Sequence, residues 1–161
     1  MTVGIGFDMH PLVTGRRLVL GGVEIPFEKG LDGHSDADTL AHAVIDAILG
    51  AACAGDIGSC FGTNDPQYKD VSSLLLLRET FRRVQALGYM VSHIDATIIA
   101  EAPKLASYIV QMRTNLAESI GMSVEDVSVK AATANRVGTL GAGDGIACFA
   151  VASLRRRGTM S

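Results

Sequence analysis

The first ten residues predict a β-strand that presents two metal-binding side chains on one face. Apolar residues alternate with small or polar ones over residues 2–7, which is the period of a strand. Asp8 and His10 follow, and their side chains leave the same side of an extended backbone because they are two positions apart. Such a pair suits a divalent metal such as zinc, although two ligands are too few for a site. The alternative is a strand-end turn with both side chains hydrogen-bonded, and Pro11 is expected to end the regular strand.

A helix predicted within residues 34–53 carries a third candidate ligand. Its buried stripe consists of apolar residues at helical spacing: Ala41, Val44, Ile45, Ile48, Leu49 and Ala52. His42 lies on a second face, and with Asp8 and His10 it would supply the three protein ligands of a catalytic zinc. Asp46 follows one turn later, where its carboxylate could accept a hydrogen bond from an imidazole. The spacing equally allows a histidine and a carboxylate on a solvated helix surface.

The rest of the chain predicts one domain of mixed α+β (α/β) class over residues 1–161, with a sheet and helices packed on one of its faces. Further strands are expected at residues 18–25, 94–100, 127–131 and 146–154. Two further helices are expected over residues 72–88 and 103–121. Turn-forming residues predict loops at residues 27–33 and 55–66, and the second loop is long enough to suggest a function.

The composition excludes several functional classes. Apolar residues make up 48% of the chain and charged residues 19%, which is typical of a folded protein. A net charge of −3 with dispersed positive charges argues against nucleic-acid binding, and no apolar run reaches transmembrane length. Three cysteines without a C-x-x-C motif favour reduced thiols in a cytoplasmic setting. Because Met1 leads directly into the first strand, no targeting segment is expected.

Several polar residues lie where a phosphate or a sugar could bind, and each also has a simpler explanation. His34 and Ser35 precede the first helix, whose N-terminus favours an anion, although Ser35 could equally be a helix cap. Lys104 and Thr133 could meet phosphate oxygens, or they could be a solvated lysine and a turn residue. Two carboxylates of the long loop suit sugar hydroxyls or simply form turns: Asp56 and Asp65.

Seven stretches of the chain occur in the order and at the separations of one known family: residues 6–10, 34–38, 42–52, 55–58, 65–66, 98–104 and 145–147. They include Asp8, His10 and His42 and span nearly the whole chain. In combination they are highly specific. The sequence therefore resembles the 2-C-methyl-D-erythritol 2,4-cyclodiphosphate synthases of the non-mevalonate isoprenoid pathway.

This resemblance implies an assembly and a reaction. The expected assembly is a homotrimer whose sheets line a central channel, with three active sites at subunit interfaces. The expected substrate is 4-diphosphocytidyl-2-C-methyl-D-erythritol 2-phosphate. Its 2-phosphate attacks the β-phosphate, which closes a cyclic diphosphate and expels CMP, so the enzyme would be a metal-dependent phosphorus–oxygen lyase.

The resemblance also implies roles for individual residues. Asp8, His10 and His42 would be the zinc ligands, and His34 and Thr133 would stabilise the transferring phosphoryl group. The remaining substrate contacts would come from residues 35–65 and 100–132, with residues 100–105 given by the neighbouring subunit. These contacts are Ser35, Asp56, Ile57, Gly58, Phe61, Asp65, Ala100, Pro103, Lys104, Leu105 and Ala132.

The chain departs from the family pattern at a few positions. Asn135 stands where the family usually has a glutamate that binds a second metal, magnesium or manganese, and a neutral amide is a weaker ligand for a hard cation. Ala142 replaces an arginine associated with anion binding in the channel, Thr139 an aromatic residue and Gly62 a proline. Two alternatives accompany the cyclase interpretation. The open zinc site would also suit a zinc-dependent hydrolase of a nucleoside-diphosphate compound, and Asn135 with Ala132 would suit a non-catalytic trimeric ligand binder.

Overall fold

A mixed β-sheet is the framework of the computed structural model, which describes residues 1–62 and 65–158. The strands are β1 (Thr2–Thr14), β2 (Leu18–Leu20), β3 (Val23–Ile25), β4 (Lys29–Leu31), β5 (Tyr89–Ile99), β6 (Val127–Ala132) and β7 (Gly145–Arg156). Five of them form one sheet in the order β4-β1-β7-β5-β6, while β2 and β3 form a separate hairpin. Within the sheet only β5 and β6 run parallel. The predicted mixed sheet is therefore confirmed.

The helices of the described part pack on the sheet and on one another. They are α1 (Thr39–Ala51), α2 (Ile57–Phe61), α3 (Ser73–Ala86), α4 (Ile109–Ile120) and α5 (Gly138–Gly141). Helix α1 crosses β1 and β7, α3 contacts α1 and β5, and α4 contacts α3 and β6. Within the described ranges, no helix combines the length and apolar character that crossing a membrane requires.

Two glycines of β1 allow α1 to lie unusually close to the sheet. A Cβ at Gly4 would overlap the carbonyl oxygen of Ala47, and a Cβ at Gly6 would overlap that of Ala43. Because side chains alternate along a strand, Asp8 lies on this same helix-facing side, two positions after Gly6. The close approach therefore brings the start of α1 to the side chains that follow the glycines.

The opposite face of the sheet is apolar and exposed. Ile5 is 70% exposed and Val3 62%, and four more apolar side chains on β1 and β7 are also exposed: Phe7, Met9, Phe149 and Val151. The rings of Phe7 and Phe149 contact each other, with 4.8 Å between their centroids. These six residues define the apolar sheet face, and no helix within residues 1–62 and 65–158 covers it.

Pro11 does not end the first strand as expected. It pairs with Gly145 at the last position of the β1–β7 ladder, and β1 then continues to Thr14 by pairing with β4. Proline has no N–H to donate, and here its carbonyl oxygen accepts the Asp32 N–H, while the next N–H, of Leu12, donates to the Asp144 carbonyl. The predicted loop at residues 27–33 therefore contains a short strand.

Other element boundaries also differ from the sequence-based expectations. Residues 18–25 form a hairpin rather than one strand, because Gly21 and Gly22 both adopt positive φ and reverse the chain. The loop at residues 55–66 contains α2, which Asp56 caps. The helix expected from Pro103 begins only at Ile109, after a bend and one 3₁₀ turn, and Leu105 in this segment is buried in the core.

Candidate active site

Asp8, His10 and His42 meet at the contact between β1 and α1. The Asp8 Oδ2 atom lies 3.0 Å from His10 Nε2 and 3.0 Å from His42 Nδ1, and the two nitrogens are 3.4 Å apart. Ligand atoms about 2.0–2.1 Å from a tetrahedral zinc are separated by roughly 3.3 Å. The donor types and their spacing therefore fit a metal ion bound by three protein side chains.

The local fold explains this meeting. Asp8 and His10 are two positions apart on β1 and face α1, opposite to the exposed apolar sheet face. His42 lies in the first turn of α1, whose N-terminus is capped by Asp38. The buried Asp38 carboxylate accepts hydrogen bonds from the N–H groups of Gly21 and Gly22 as well as from Ala41. It thereby ties the β2–β3 hairpin to the start of the helix.

Each imidazole of the group also makes a hydrogen bond through its other nitrogen. His10 Nδ1 lies 2.6 Å from the carbonyl oxygen of Asp32 and donates to it. His42 Nε2 lies 2.9 Å from Ser73 Oγ and 3.1 Å from Ser35 Oγ. Bonds of this kind orient a histidine toward a metal. Both rings therefore direct their remaining nitrogen to the Asp8 carboxylate.

Asp46 does not take the role predicted for it behind an imidazole. Its Oδ1 atom accepts the N–H of Ile57 at 2.8 Å and so holds the start of α2 against α1. The helix places Asp46 one turn beyond His42, whereas His42 Nε2 points toward the start of α3. The residue that occupies the predicted position is Ser73, with Asp36 beyond it. The sequence indicates a role for neither residue, because nothing in it relates position 73 to position 42.

The carboxylate and the imidazoles shift one another's pKa values. Burial by itself raises the pKa of Asp8, but its hydrogen bonds with His10 and His42 outweigh burial and hold that pKa below its ordinary value. Burial likewise lowers the pKa of His10, and the interactions with Asp8 and with the Asp32 carbonyl outweigh it, so this pKa is raised. The arrangement is a site for positive charge, whether proton or metal ion.

A cavity of about 230 Å³ opens beside the three candidate ligands. Besides them it is lined by His34, Ser35, Ile57, Gly58, Phe61, Gly62, Tyr68 and Leu76. The sequence predicts roles in catalysis or substrate binding for five of these residues, and for Gly62, Tyr68 and Leu76 it predicts none. The Tyr68 ring packs edge-on against Phe61, with 5.5 Å between centroids. The cavity is thus lined on one side by the three candidate metal ligands and elsewhere by apolar side chains such as Phe61 and Leu76.

Asp56 and Asp65 flank this cavity rather than line it. Asp56 is exposed and accepts the Ser59 N–H at 2.7 Å, which caps α2. The Asp65 carboxylate accepts the N–H of Gln67 at 3.0 Å, and the Asp65 carbonyl oxygen accepts the His34 Nε2–H at 2.8 Å. Within one chain, the side chains of Asp56 and Asp65 therefore stabilise local turns, as the simpler explanation predicts.

The other residues predicted for catalysis, substrate binding or the second metal do not line the cavity. They lie at or after the ends of β5 and β6, where they make up a second cluster: Ala100, Pro103, Lys104, Leu105, Ala132, Thr133 and Asn135. The register of the strands shows where this second cluster lies relative to the first. Met9 pairs with Ala147, Ala147 with Ile99, and Ile99 with Ala132. Both clusters therefore lie at the same level of the sheet, but three strand spacings, or roughly 14 Å, separate β1 from β6.

The second cluster is solvent-facing around Thr133. The Thr133 hydroxyl lies 3.4 Å from Asn135 Oδ1 and accepts the Asn135 N–H at 3.3 Å. Asn135 has a φ of 52°, a left-handed conformation that asparagine adopts more readily than most residues. The next N–H, of Arg136, donates to the Glu101 carboxylate. Lys104 is exposed, whereas Ala100 and Leu105 are buried.

The sequence is similar to named proteins over almost its whole length. Residues 1–155 match the YgbB family. The 2-C-methyl-D-erythritol 2,4-cyclodiphosphate synthase of Moorella thermoacetica is 54% identical over 157 residues, which are 98% of this chain and 96% of that protein.

Solved structures agree with these matches. The bifunctional IspDF of Campylobacter jejuni superposes on 96% of this chain with a TM-score of 0.93 and 36% identity, and the chain spans only 42% of that protein. The CDP complex of IspF from Plasmodium falciparum superposes with a TM-score of 0.86 and 29% identity, covering 98% of this chain and 97% of that one. The resemblance drawn from the motifs is confirmed, and the chain belongs to the 2-C-methyl-D-erythritol 2,4-cyclodiphosphate synthase family, the YgbB family.

Proposed function

We propose that this chain is a lyase that converts 4-diphosphocytidyl-2-C-methyl-D-erythritol 2-phosphate into 2-C-methyl-D-erythritol 2,4-cyclodiphosphate and CMP, a step of isoprenoid precursor synthesis. The observation that carries the proposal is the group of Asp8, His10 and His42 at a cavity that His34 and Ser35 also line. Relatives named for this synthase support it, as does a related structure in complex with CDP.

The proposed reaction is an intramolecular phosphoryl transfer. An oxygen of the 2-phosphate forms a bond to the β-phosphorus, and the bond between the β-phosphorus and the oxygen bridging to the α-phosphate breaks. That oxygen leaves with CMP, so no water is consumed and no covalent enzyme intermediate is needed. A transfer of this kind depends on positioning and on neutralising charge rather than on a protein nucleophile.

The cavity residues divide these tasks. Asp8, His10 and His42 are the proposed zinc ligands, because two imidazoles and a carboxylate leave the fourth tetrahedral position open. Zinc supplies charge neutralisation at a phosphate when it is bound. His34, fixed by its bond to the Asp65 carbonyl, is proposed to stabilise the transferring phosphoryl group. The phosphate and erythritol parts are assigned to Ser35, Asp56, Ile57, Gly58, Phe61 and Asp65.

A homotrimer with active sites at its interfaces is part of the proposal. The second cluster would hold the cytidine and diphosphate, with Thr133 contacting the transferring group, yet it lies about 14 Å from β1 within one chain. A neighbouring copy could bring its own second cluster to this cavity. The exposed apolar sheet face supports association, because apolar side chains such as Ile5, at 70% exposure, gain by burial between subunits.

A second metal, magnesium or manganese, is proposed to bind near Asn135. The amide there is a weaker ligand than a carboxylate, so we expect activity to need a high concentration of the second metal. Replacing Asn135→Glu should lower the magnesium concentration that gives half-maximal turnover at fixed zinc. An unchanged magnesium dependence in that variant would remove Asn135 from the metal site.

A product assay tests the proposed function. Purified protein, zinc, magnesium and the diphosphocytidyl substrate are incubated, and phosphorus NMR is expected to show the cyclic diphosphate and CMP. Linear phosphates would favour the hydrolase, and tight binding without turnover would favour the trimeric binder. A cytoplasmic location belongs to the proposal, supported by the three free thiols of Cys53, Cys60 and Cys148.

A further inference from the structure

Helix α2 forms one wall of the cavity, although it is too short to be stable by itself. It has five residues, whereas an isolated helix shorter than about 12–15 residues is at best marginally stable in water. Ile57, Gly58 and Phe61 of this helix line the cavity. Contacts with the rest of the protein must therefore fix the position of this wall.

Two contacts hold the opposite ends of α2. Phe61, its last residue, is buried in the core. Ile57, its first residue, donates its backbone N–H to the Asp46 Oδ1 atom at 2.8 Å. The first N–H groups of a helix have no partner within the helix, and Asp46 supplies one. Asp56 caps the Ser59 N–H, but it belongs to the same segment as α2 and cannot hold that segment against α1.

The hydrogen bond of Asp46 connects the cavity wall to the candidate metal ligands through a single helix. His42 and Asp46 both belong to α1 and are four positions apart, so they lie on one face of the helix, one turn after the other. His42 meets Asp8 at 3.0 Å, and Asp46 holds Ile57. The candidate metal ligands and the wall are therefore positioned by successive turns of the same element.

We propose that Asp46 is a positioning residue that holds α2, and with it Ile57 and Gly58, at a fixed distance from the candidate metal ligands. The consequence for the substrate rests on the proposed function, which assigns these two cavity residues to the erythritol part. A wall that moves away from α1 binds that part less well. The hydrogen bond itself is a property of the protein without substrate or metal.

Hydrogen exchange of the Ile57 backbone amide, measured by NMR in metal-free protein without substrate, tests the anchor. Asp46→Ala removes the acceptor, so this amide should exchange at least about 10-fold faster. Asp46→Asn keeps an oxygen that can accept the same N–H, and its Ile57 amide should exchange within about threefold of the wild-type rate. Glu118→Ala, which removes an exposed carboxylate on α4, is the matched control and should leave Ile57 unchanged.

Steady-state kinetics at saturating zinc test the consequence for the substrate. Asp46→Ala should raise KM by about 10-fold, because a displaced wall weakens substrate binding. A smaller fraction of folded enzyme would instead lower kcat and leave KM unchanged. Asp46→Asn should return KM to within about threefold of wild type. Both variants remove the charge of Asp46, so an effect of that charge would appear in both, whereas an effect of the hydrogen bond appears only in Asp46→Ala.

Equal exchange of the Ile57 amide in wild type and Asp46→Ala would overturn the inference. A KM raised equally in Asp46→Ala and Asp46→Asn would also overturn it, because the charge and not the anchor would then be responsible. The product assay is decided independently. If the wild type forms no cyclic product, the proposed function fails, while faster exchange of Ile57 in Asp46→Ala alone still supports the anchor.

Discussion

Gly6 lies so close to Ala43, across the contact between β1 and α1, that a Cβ at position 6 would overlap the Ala43 carbonyl oxygen. Asp8 and His42 lie immediately beyond this contact, and their side chains meet at 3.0 Å. The distance between strand and helix therefore sets the distance between candidate metal ligands. A residue with no chemistry of its own thus controls the geometry of the site.

Gly6→Ala is expected to push α1 away from β1 and to separate His42 from Asp8. Overpacking at such a contact typically costs about 1–3 kcal/mol of unfolding free energy, and zinc affinity should fall by at least about 10-fold. Urea unfolding and chelator competition measure the two effects. Gly50→Ala is the matched control, because a Cβ there would lie 3.8 Å from the Ile5 carbonyl, an ordinary contact. Equal zinc affinity in both variants would contradict this role of Gly6.

Zinc is expected to raise the melting temperature of the protein, because a ligand of the folded state stabilises it by mass action. At free zinc about 100-fold above Kd the gain is about 2.7 kcal/mol. Asp8→Asn should lose most of this gain, since it replaces the charged ligand by a neutral amide. Asp126→Asn, at an exposed carboxylate on a surface turn, should retain it. The same zinc-dependent rise in Asp8→Asn and wild type would place the ion elsewhere.

Local geometry lets the sequence place each of the three candidate ligands on its own element, but the meeting of strand and helix depends on the packing of α1 against Gly4 and Gly6. Asp8 and His10 share a face through the strand period, and His42 has a fixed place in the helix. It does not predict Ser73 behind His42, because this contact depends on how α3 packs against α1. It also misplaces the strand end at Pro11, where a change of pairing partner, rather than a local preference, decides the outcome.

Asp38→Asn is expected to reduce stability by about 1–3 kcal/mol near neutral pH, because the amide cannot accept all the backbone hydrogen bonds that the carboxylate accepts. Burial and the nearby Asp36 raise the Asp38 pKa to about 6 despite these bonds. The folded protein therefore binds a proton at the Asp38 carboxyl more tightly than the unfolded protein does.

The contribution of Asp38 to stability should consequently fall as the pH rises from about 4 to about 6, so the free energy of unfolding of wild type minus that of Asp38→Asn should decrease over this range. Urea unfolding of both proteins across this range isolates the contribution of Asp38, because the other titrating groups are shared. A stability difference between the two proteins that does not change with pH would show that the Asp38 pKa is not raised.

Mixed trimers test whether the active site is shared between subunits. His42→Ala should inactivate the cavity half of the site and Thr133→Ala the second cluster, so each protein alone should have little activity. In randomly mixed trimers about a quarter of the sites combine two intact halves, because each half is independently intact with a probability of about one half. Co-refolded protein should therefore recover about a quarter of wild-type turnover. Recovery no greater than the mean of the two variants would indicate sites within single chains.

The central claim is that the attacking oxygen comes from the substrate itself, and oxygen-18 water tests it most directly. Turnover of the wild type with zinc and magnesium in labelled water should yield CMP and the cyclic diphosphate. Mass spectrometry should find no oxygen-18 in either product. His42→Ala in the same water should yield neither product. Labelled linear phosphate from the wild type would instead identify water as the nucleophile and contradict the cyclase account.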